Sequence, residues 1–310
     1  MINSAKMGTR GSTLALTQTN QVVDCLRAAH PNLEVTVTIV TTQGDQRPDV
    51  PLNDFGSVGA FTSTLETQLK AGAIDLAVHS YKDLPTQITP GAIVGAAPFR
   101  RNPADVLVSR EGYTLETLPH GAKVGTCSSR RTAQLLHHRP DLHILDIRGN
   151  VDTRINKALA KDGAYDAIVL AHAGLERLGR LDVISEILPF EIMLPAPAQA
   201  ALAVQCRDDA EWRTLLQPIN DPSVEYAVAA ERAFLSTLEA GCALPVAAHA
   251  VVEGKTLTLR GRVISPDGTQ KIDVMGSAPI EGVESAQRLG NQLAEEANAQ
   301  GAMQVLESMR

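Results

Sequence analysis

The chain has 310 residues, of which 44% are hydrophobic, 20% charged and only 3% aromatic. That is enough apolar material for two or three ordinary domains, with cores of Ala, Val, Leu and Ile. A net charge of -7 argues against a general nucleic-acid binder, and no apolar run reaches the length of a membrane span.

The first residues, MINSAKMGTRGSTLAL, contain neither an apolar h-region nor an A-x-A cleavage signal. No secretory peptide is expected, and a cytoplasmic location follows. Cys25, Cys127, Cys206 and Cys242 form no C-x-x-C pair. That spacing weighs against a zinc ribbon or a thioredoxin-like site, so free thiols and no metal are expected.

In chain order, Gly8-Thr9-Arg10-Gly11-Ser12 opens a helical pattern through Leu14, Leu16, Val22, Val23 and Leu26. After Pro31 the period changes to two, predicting a strand over Val35–Ile39. Gly72 to Val78 reads as a helix end, a Gly cap and a buried strand. Pro85, Pro90, Gly91, Gly95 and Pro98 then make a loop-rich passage. The pattern recurs: Gly125-Thr126-Cys127-Ser128-Ser129 opens a helix through Ala133, Leu135 and Leu136, then a strand over Leu142–Leu145 follows Pro140. Gly163 to Val169 echoes Gly72 to Val78. Two similar α/β lobes facing each other across a cleft are the simplest reading; the alternative is that any two βα segments look alike.

A second passage, Leu188 to Pro197, leads to an apolar strand, Ala201–Val204, which returns to the first lobe. Ser223 to Leu238 has the spacing of a helix. Short strands follow over Val246–Val252, Leu257–Val263 and Ile272–Met275, with turns at Glu253-Gly254 and Pro266-Asp267-Gly268. A last helix spans about Gly282–Asn298. The expected fold is α/β: two lobes with mixed, mostly parallel sheets, plus a small C-terminal α+β domain. The expected division is 1–97 with 196–216, then 98–195, then 217–310.

Ligands of such folds sit outside the carboxyl ends of the strands. Three features converge there. Ser12, and Ser128 or Ser129, stand at helix starts whose N–H groups attract carboxylates, with plain capping as the other reading. Arg10, Arg130, Arg131, Arg148, Arg154 and Arg177 supply guanidinium forks, a set suited to a ligand with many carboxylates, whereas Arg139 and Arg180 read as solvated charges. His79-Ser80-Tyr81-Lys82-Asp83-Leu84-Pro85 follows a buried strand. Asp83 either caps a turn or stabilises positive charge on a bound substrate. Cys242, in Gly241-Cys242-Ala243-Leu244-Pro245, is the most accessible thiol in prospect; Cys25 and Cys206 read as packing residues.

The stretches TRGSTLAL, HSYKDLPT, GTCSSRR, RGNVDTR, YDAIVLAHAGLERLG and ERAFLSTLEAGCALP, in this order, together resemble the porphobilinogen deaminase (hydroxymethylbilane synthase) family. The resemblance covers nearly the whole chain from residue 7. It implies periplasmic-binding-protein-like (type II) lobes and a transferase that joins four porphobilinogen molecules head to tail with release of ammonia. Cys242 resembles the cysteine that carries a dipyrromethane cofactor, and Asp83 the catalytic aspartate. Arg10, Ser12, Lys82, Thr126, Ser128, Arg130, Arg131, Arg148, Asn150, Arg154 and Arg177 match positions that hold the acetate and propionate arms. A monomer is implied as well.

Two stretches depart from the family pattern. Phe55-Gly56-Ser57-Val58-Gly59-Ala60-Phe61 has no lysine, and Ala196-Pro197-Ala198-Gln199-Ala200 replaces a commoner glycine-rich form. The second change implies a stiffer link, because Ala is less permissive than Gly. A non-catalytic solute-binding or ligand-sensing protein is the competing reading, and a retired homologue that only binds tetrapyrroles is a third.

Overall fold

The computed structural model describes residues 2–42, 63–87, 89–238 and 244–307. The chain falls into two compact units, Met1–Arg101 with Ala200–Glu225, and Asn102–Gln199 with Tyr226–Arg310.

In the first unit, β1 (Ser4–Thr9) leads into α1 (Thr13–Ala29) and β2 (Glu34–Ile39), then α2 (Ser63–Lys70), β3 (Leu76–Ser80) and β4 (Ala92–Ala96). The sheet is completed by Leu202–Arg207, which lies antiparallel between β3 and β4. α1 buries Val22, Val23 and Leu26 on one face, in a core shared with Met7, Leu76 and Trp212. A second cluster of Val40, Leu65, Leu69, Ile74 and Ala77 forms a further core. β3 is therefore almost wholly buried, which is why it reads as a continuous apolar run.

The passage predicted as loop between Pro85 and Pro98 contains β4. Its sequence, AIVGA, is short, and Gly95 lies so close to Leu216 that an added Cβ would be 2.5 Å from Cδ1. Close approach demands a small residue there, and small residues hide a strand from pattern reading.

The second unit repeats the plan. It contains β5 (Asp105–Ser109), β6 (Lys123–Gly125), α3 (Ser129–His138), β7 (His143–Leu145), α4 (Val151–Leu159), β8 (Ala167–Ala171), α5 (His172–Arg177) and β9 (Glu186–Ile187). Its sheet order is β7-β6-β8-β5-β9, against β2-β1-β3-(Leu202–Arg207)-β4 in the first. In each sheet one strand, next to the central one, runs against the rest. The likeness reaches single bonds. Lys6 N–H donates to Asp75 Oδ2 at 2.9 Å, and Lys123 N–H to Asp166 Oδ2 at 2.7 Å. Gly8 and Gly125 pair with Ala77 and Ile168. A Cβ on either would strike a side chain packed beneath it, Ile74 at 2.4 Å or Tyr165 at 2.8 Å. The Gly-Thr repeat in the sequence is thus a packing requirement met twice.

The return strand is β10 (Leu202–Arg207), followed by α6 (Ala210–Leu216) and α7 (Pro222–Thr237). Ahead of it, Ala198 and Ala200 hold φ of 62° and 71°. An L residue is strained in this left-handed region, where glycine is not. Neighbouring bonds hold the segment. Buried Glu231 accepts from Ala198 N–H at 2.6 Å and from Ala250 N–H at 2.7 Å.

The C-terminal α+β domain is the antiparallel meander β11 (Val246–Glu253), β12 (Thr256–Ile264) and β13 (Lys271–Pro279), with α8 (Val283–Ala299) and α9 (Ala302–Glu307). Phe234 of α7 seats its ring on Gly261, and Leu289 and Leu293 of α8 complete the core. Arg262 of β12, 2% exposed, binds Asp273 at 2.5 Å and Gln134 Oε1 at 3.0 Å, tying this sheet to α3. The predicted class therefore stands: two α/β lobes, four of five strands parallel in each sheet, and a small α+β domain. Among the described residues, no helix is long and apolar enough to cross a membrane.

Candidate functional site

In the first unit the candidate residues gather at the carboxyl edge of the sheet. The parallel register Gly8 opposite Ala77 brings Arg10, just past β1, level with His79 in β3. Ser12 caps α1, its hydroxyl accepting from Ala15 N–H at 3.3 Å. Gln18 of α1 donates to the Ser80 hydroxyl at 3.0 Å, and Thr19 to Thr9 at 2.7 Å, so helix and strand ends are bonded together. β3 stops in a single 3-10 turn, Tyr81–Asp83, fixed by Tyr81 N–H to Ala201 O and Leu84 N–H to Tyr81 O. The turn leaves Lys82 half-buried and Asp83 exposed. Beneath it His79 is buried; desolvation, helped by the Arg10 charge and opposed by Gln205, pushes its pKa down to about 4. The imidazole is neutral at neutral pH, and among the described residues its Nε2 has no hydrogen-bond partner.

In the second unit, Thr126 is buried at the end of β6 and its hydroxyl accepts from Ser128 N–H at 3.2 Å. Ser128 occupies the N-cap position of α3 without a side-chain cap bond. Arg130 and Arg131, in the first turn of α3, point inward and are 5% and 7% exposed. Asp105, fully buried, meets both. Arg130 Nη2 lies 2.8 Å from Oδ2 and Arg131 Nη2 2.7 Å from Oδ1. Arg130 also donates to Leu194 O, and Arg131 to Val169 O. Burial lowers the pKa of Arg130, opposed chiefly by Asp105.

The turn Arg148-Gly149-Asn150 follows β7. Gly149 has φ of 114°, and a Cβ there would lie 2.7 Å from Thr153. Asn150 caps α4 by accepting from Thr153 N–H at 2.8 Å, and the Arg154 Nε donates to Gly149 O. Burial and then the Arg131 and Arg148 charges lower the pKa of Arg154, while Cys127 acts against them. Arg131, Arg148 and Arg154 therefore share one electrostatic neighbourhood with the exposed Cys127, whose thiol donates to Ile147 O. Arg177 ends α5, half-buried. A hollow of about 330 Å³ is lined by Thr126, Cys127, Ser129, Thr132, Ile144, Asp146 and Pro266. A larger one, near 440 Å³, lies beside Arg207 in the first unit and touches none of the predicted residues.

Cys242 and the lysine-free stretch 55–61 lie outside the described residues. Cys206 is buried, with its thiol pushed up to about 11 by desolvation, and Cys25 is half-buried in α1. Both are packing residues, as expected. Sequence reading missed Asp105. It follows Asn102-Pro103-Ala104 at the start of β5, and only the fold brings it to the arginines.

Guanidinium groups so gathered can bind carboxylates, and comparison with known proteins shows the family of the chain. Residues 5–214 match the family model "Porphobilinogen deaminase, dipyromethane cofactor binding domain", and residues 226–299 match "Porphobilinogen deaminase, C-terminal domain". The chain belongs to the porphobilinogen deaminase family. The porphobilinogen deaminase of Roseiflexus castenholzii is 49% identical over 86% of this chain and 88% of its own. That of Brevibacillus brevis is 47% identical over 97% and 96%. That of Syntrophotalea carbinolica is 44% identical over 99% and 96%. The family match extends across both units and the C-terminal domain, so it covers every predicted site residue.

Proposed function

We propose that this member of the porphobilinogen deaminase family uses Asp83 as its catalytic carboxylate and Cys242 as the anchor of its dipyrromethane cofactor. As a family member it is a transferase of tetrapyrrole biosynthesis that polymerises porphobilinogen to the linear tetrapyrrole hydroxymethylbilane. When bound, the dipyrromethane supplies the primer to which each new pyrrole is joined. Arg10, Ser12 and Lys82 in the first unit, and Thr126, Ser128, Arg130, Arg131, Arg148, Asn150, Arg154 and Arg177 in the second, hold carboxylate arms.

The observation that supports this reading is the crowding of guanidinium groups in the second unit. Arg130 and Arg131 share the single carboxylate of Asp105, and burial and the neighbouring Arg131 and Arg148 charges lower the pKa of Arg154, so a bound anion would be stabilised there. In each cycle the C–N bond to the aminomethyl carbon breaks, ammonia leaves, and a C–C bond to the next α-carbon forms with loss of its proton. Positive charge develops on the substrate in between, and an exposed Asp83 carboxylate beside Lys82 is the group to stabilise it. The enzyme acts as a cytoplasmic monomer on a small-molecule substrate, without nucleic acid, and is divided as 1–97 with 196–216, 98–195 and 217–310.

Intact mass tests the anchor. Protein from cells that make porphobilinogen is expected to exceed the bare 33.0 kDa chain by one dipyrromethane. Cys242→Ser should remove the increment. A variant that keeps it would transfer the attachment to another residue.

A further inference from the structure

We propose that Asp105 is the positioning residue of the cationic site: it aims the guanidinium groups of Arg130 and Arg131 and links them to Gln199. The inference rests on the reading that these arginines hold carboxylate arms.

Its geometry is that of a hub. One carboxylate, wholly buried at the start of β5, receives Arg130 Nη2 at 2.8 Å, Arg131 Nη2 at 2.7 Å and Nε at 3.2 Å, and Gln199 Nε2 at 3.0 Å. Gln199 is in turn fixed by donating to Pro103 O at 2.7 Å. Among the described residues, the ion pairs at the hub do not balance in charge. Two guanidinium ions meet one carboxylate, and Arg154 adds a third positive charge close to Arg131. A hub built only for stability would be neutral or apolar; a surplus of positive charge is what a site for an incoming anion needs.

The internal repeat supplies a control. In the second sheet Asp105 pairs with Ala171 of the central strand. In the first sheet the matching place, opposite Ser80, is taken by Leu202, which is fully buried. The frame is satisfied by leucine at this register, so the carboxylate answers a requirement other than the fold. Arg131 retains donors beyond the three N–H groups bonded to Asp105 and Val169 O. With one side of its fork pinned, the rest is held in a single orientation for a ligand carboxylate.

The test compares Asp105→Asn, Arg131→Gln and the double variant, each made in cells that supply porphobilinogen. Three quantities are read: the fraction of chains carrying the dipyrromethane mass, the KM for porphobilinogen against kcat, and cooperative thermal melting. Asp105→Asn is expected to lower the cofactor-bearing fraction and raise KM about tenfold, with a smaller change in kcat. The double variant should be no worse than Arg131→Gln alone, because both remove one unit. Gln199→Met, which leaves both ion pairs in place, should raise KM about two- to threefold. If Asp105→Asn melts without cooperativity, Gln199→Met decides, and an unchanged KM and cofactor fraction in it overturns the proposal. So do additive effects in the cycle, or wild-type behaviour of a folded Asp105→Asn beside an impaired Arg131→Gln. Wild-type behaviour of Arg131→Gln would instead overturn the carboxylate-binding reading of the arginines.

Discussion

The two five-stranded sheets are built alike up to the carboxyl end of their central strand and differ just beyond it. With Ala77 matched to Ile168 through their glycine partners, His79 answers to Leu170, Ser80 to Ala171 and Asp83 to Gly174. After β3 the chain makes one 3-10 turn that displays Asp83; after β8 it continues directly into α5. On the reversed strands the exchange runs the other way, Leu202 against Asp105. Each sheet thus buries one ionisable group near its central strand's end. In the first it is a neutral imidazole beneath an exposed carboxylate; in the second it is a carboxylate beneath a crowd of guanidinium groups. The two frames share backbone bonds, such as Lys6 to Asp75 and Lys123 to Asp166, and differ in their charged groups: Asp83 is exposed after β3, while Asp105 is buried against Arg130 and Arg131.

The largest break in that comparison comes from Asp83, the group with no counterpart. Asp83→Ala is expected to lower kcat by about 10²–10³-fold, the scale of losing one electrostatic stabiliser of developing charge. It should leave the dipyrromethane mass in place. Steady-state turnover alongside intact mass checks this; full turnover would return Asp83 to a turn-forming role like that of Gly174.

His79 sharpens the comparison next, since Leu170 shows that the frame accepts an apolar residue at that register. The sign follows from its pKa of about 4 in the fold against 6.5 when unfolded. Below pH 6.5 the unfolded chain takes up a proton that the folded chain refuses until about pH 4. Stability is therefore complete above pH 6.5 and falls as pH drops through that window, by up to about 1.4 kcal/mol per pH unit. His79→Leu should flatten the slope, and at pH 7 its effect on stability should be small because the imidazole is neutral there and Leu170 shows that the frame accepts leucine at this register. Urea unfolding at pH 7 and pH 5 measures it, and an unchanged slope would show that His79 is protonated in the fold.

Much of this was legible in the sequence because it rests on local rules. The Gly-Thr turns mark strand ends where no Cβ fits, and α1, α7 and the C-terminal meander follow simple periods. The motif HSYKDLP gave the turn that displays Asp83. What stayed hidden depends on distant partners. β4 is masked by the small residues that its approach to Leu216 requires. Asp105 lies 25 and 26 residues from the arginines and 94 from the glutamine it organises, so no local pattern announces it. The left-handed alanines at 198 and 200 were visible as a departure in composition, but their φ values came only with the backbone.

The smallest expected effects separate the two helix starts. Ser12 and Ser128 follow matching turns and sit at the same N-cap position, yet only the Ser12 hydroxyl bonds its helix, through Ala15 N–H. Ser12→Ala should therefore lose about 1 kcal/mol of stability. Ser128→Ala should stay within about 0.5 kcal/mol of the parent, since no cap bond disappears and Ser128 N–H keeps its bond to Thr126. If both hydroxyls hold carboxylates, each substitution raises KM modestly, but only the Ser12 variant also unfolds at lower denaturant. Equal losses of stability in the two variants would mean that the Ser128 hydroxyl caps α3 after all, and the helix starts would then be equivalent in role as well as in position.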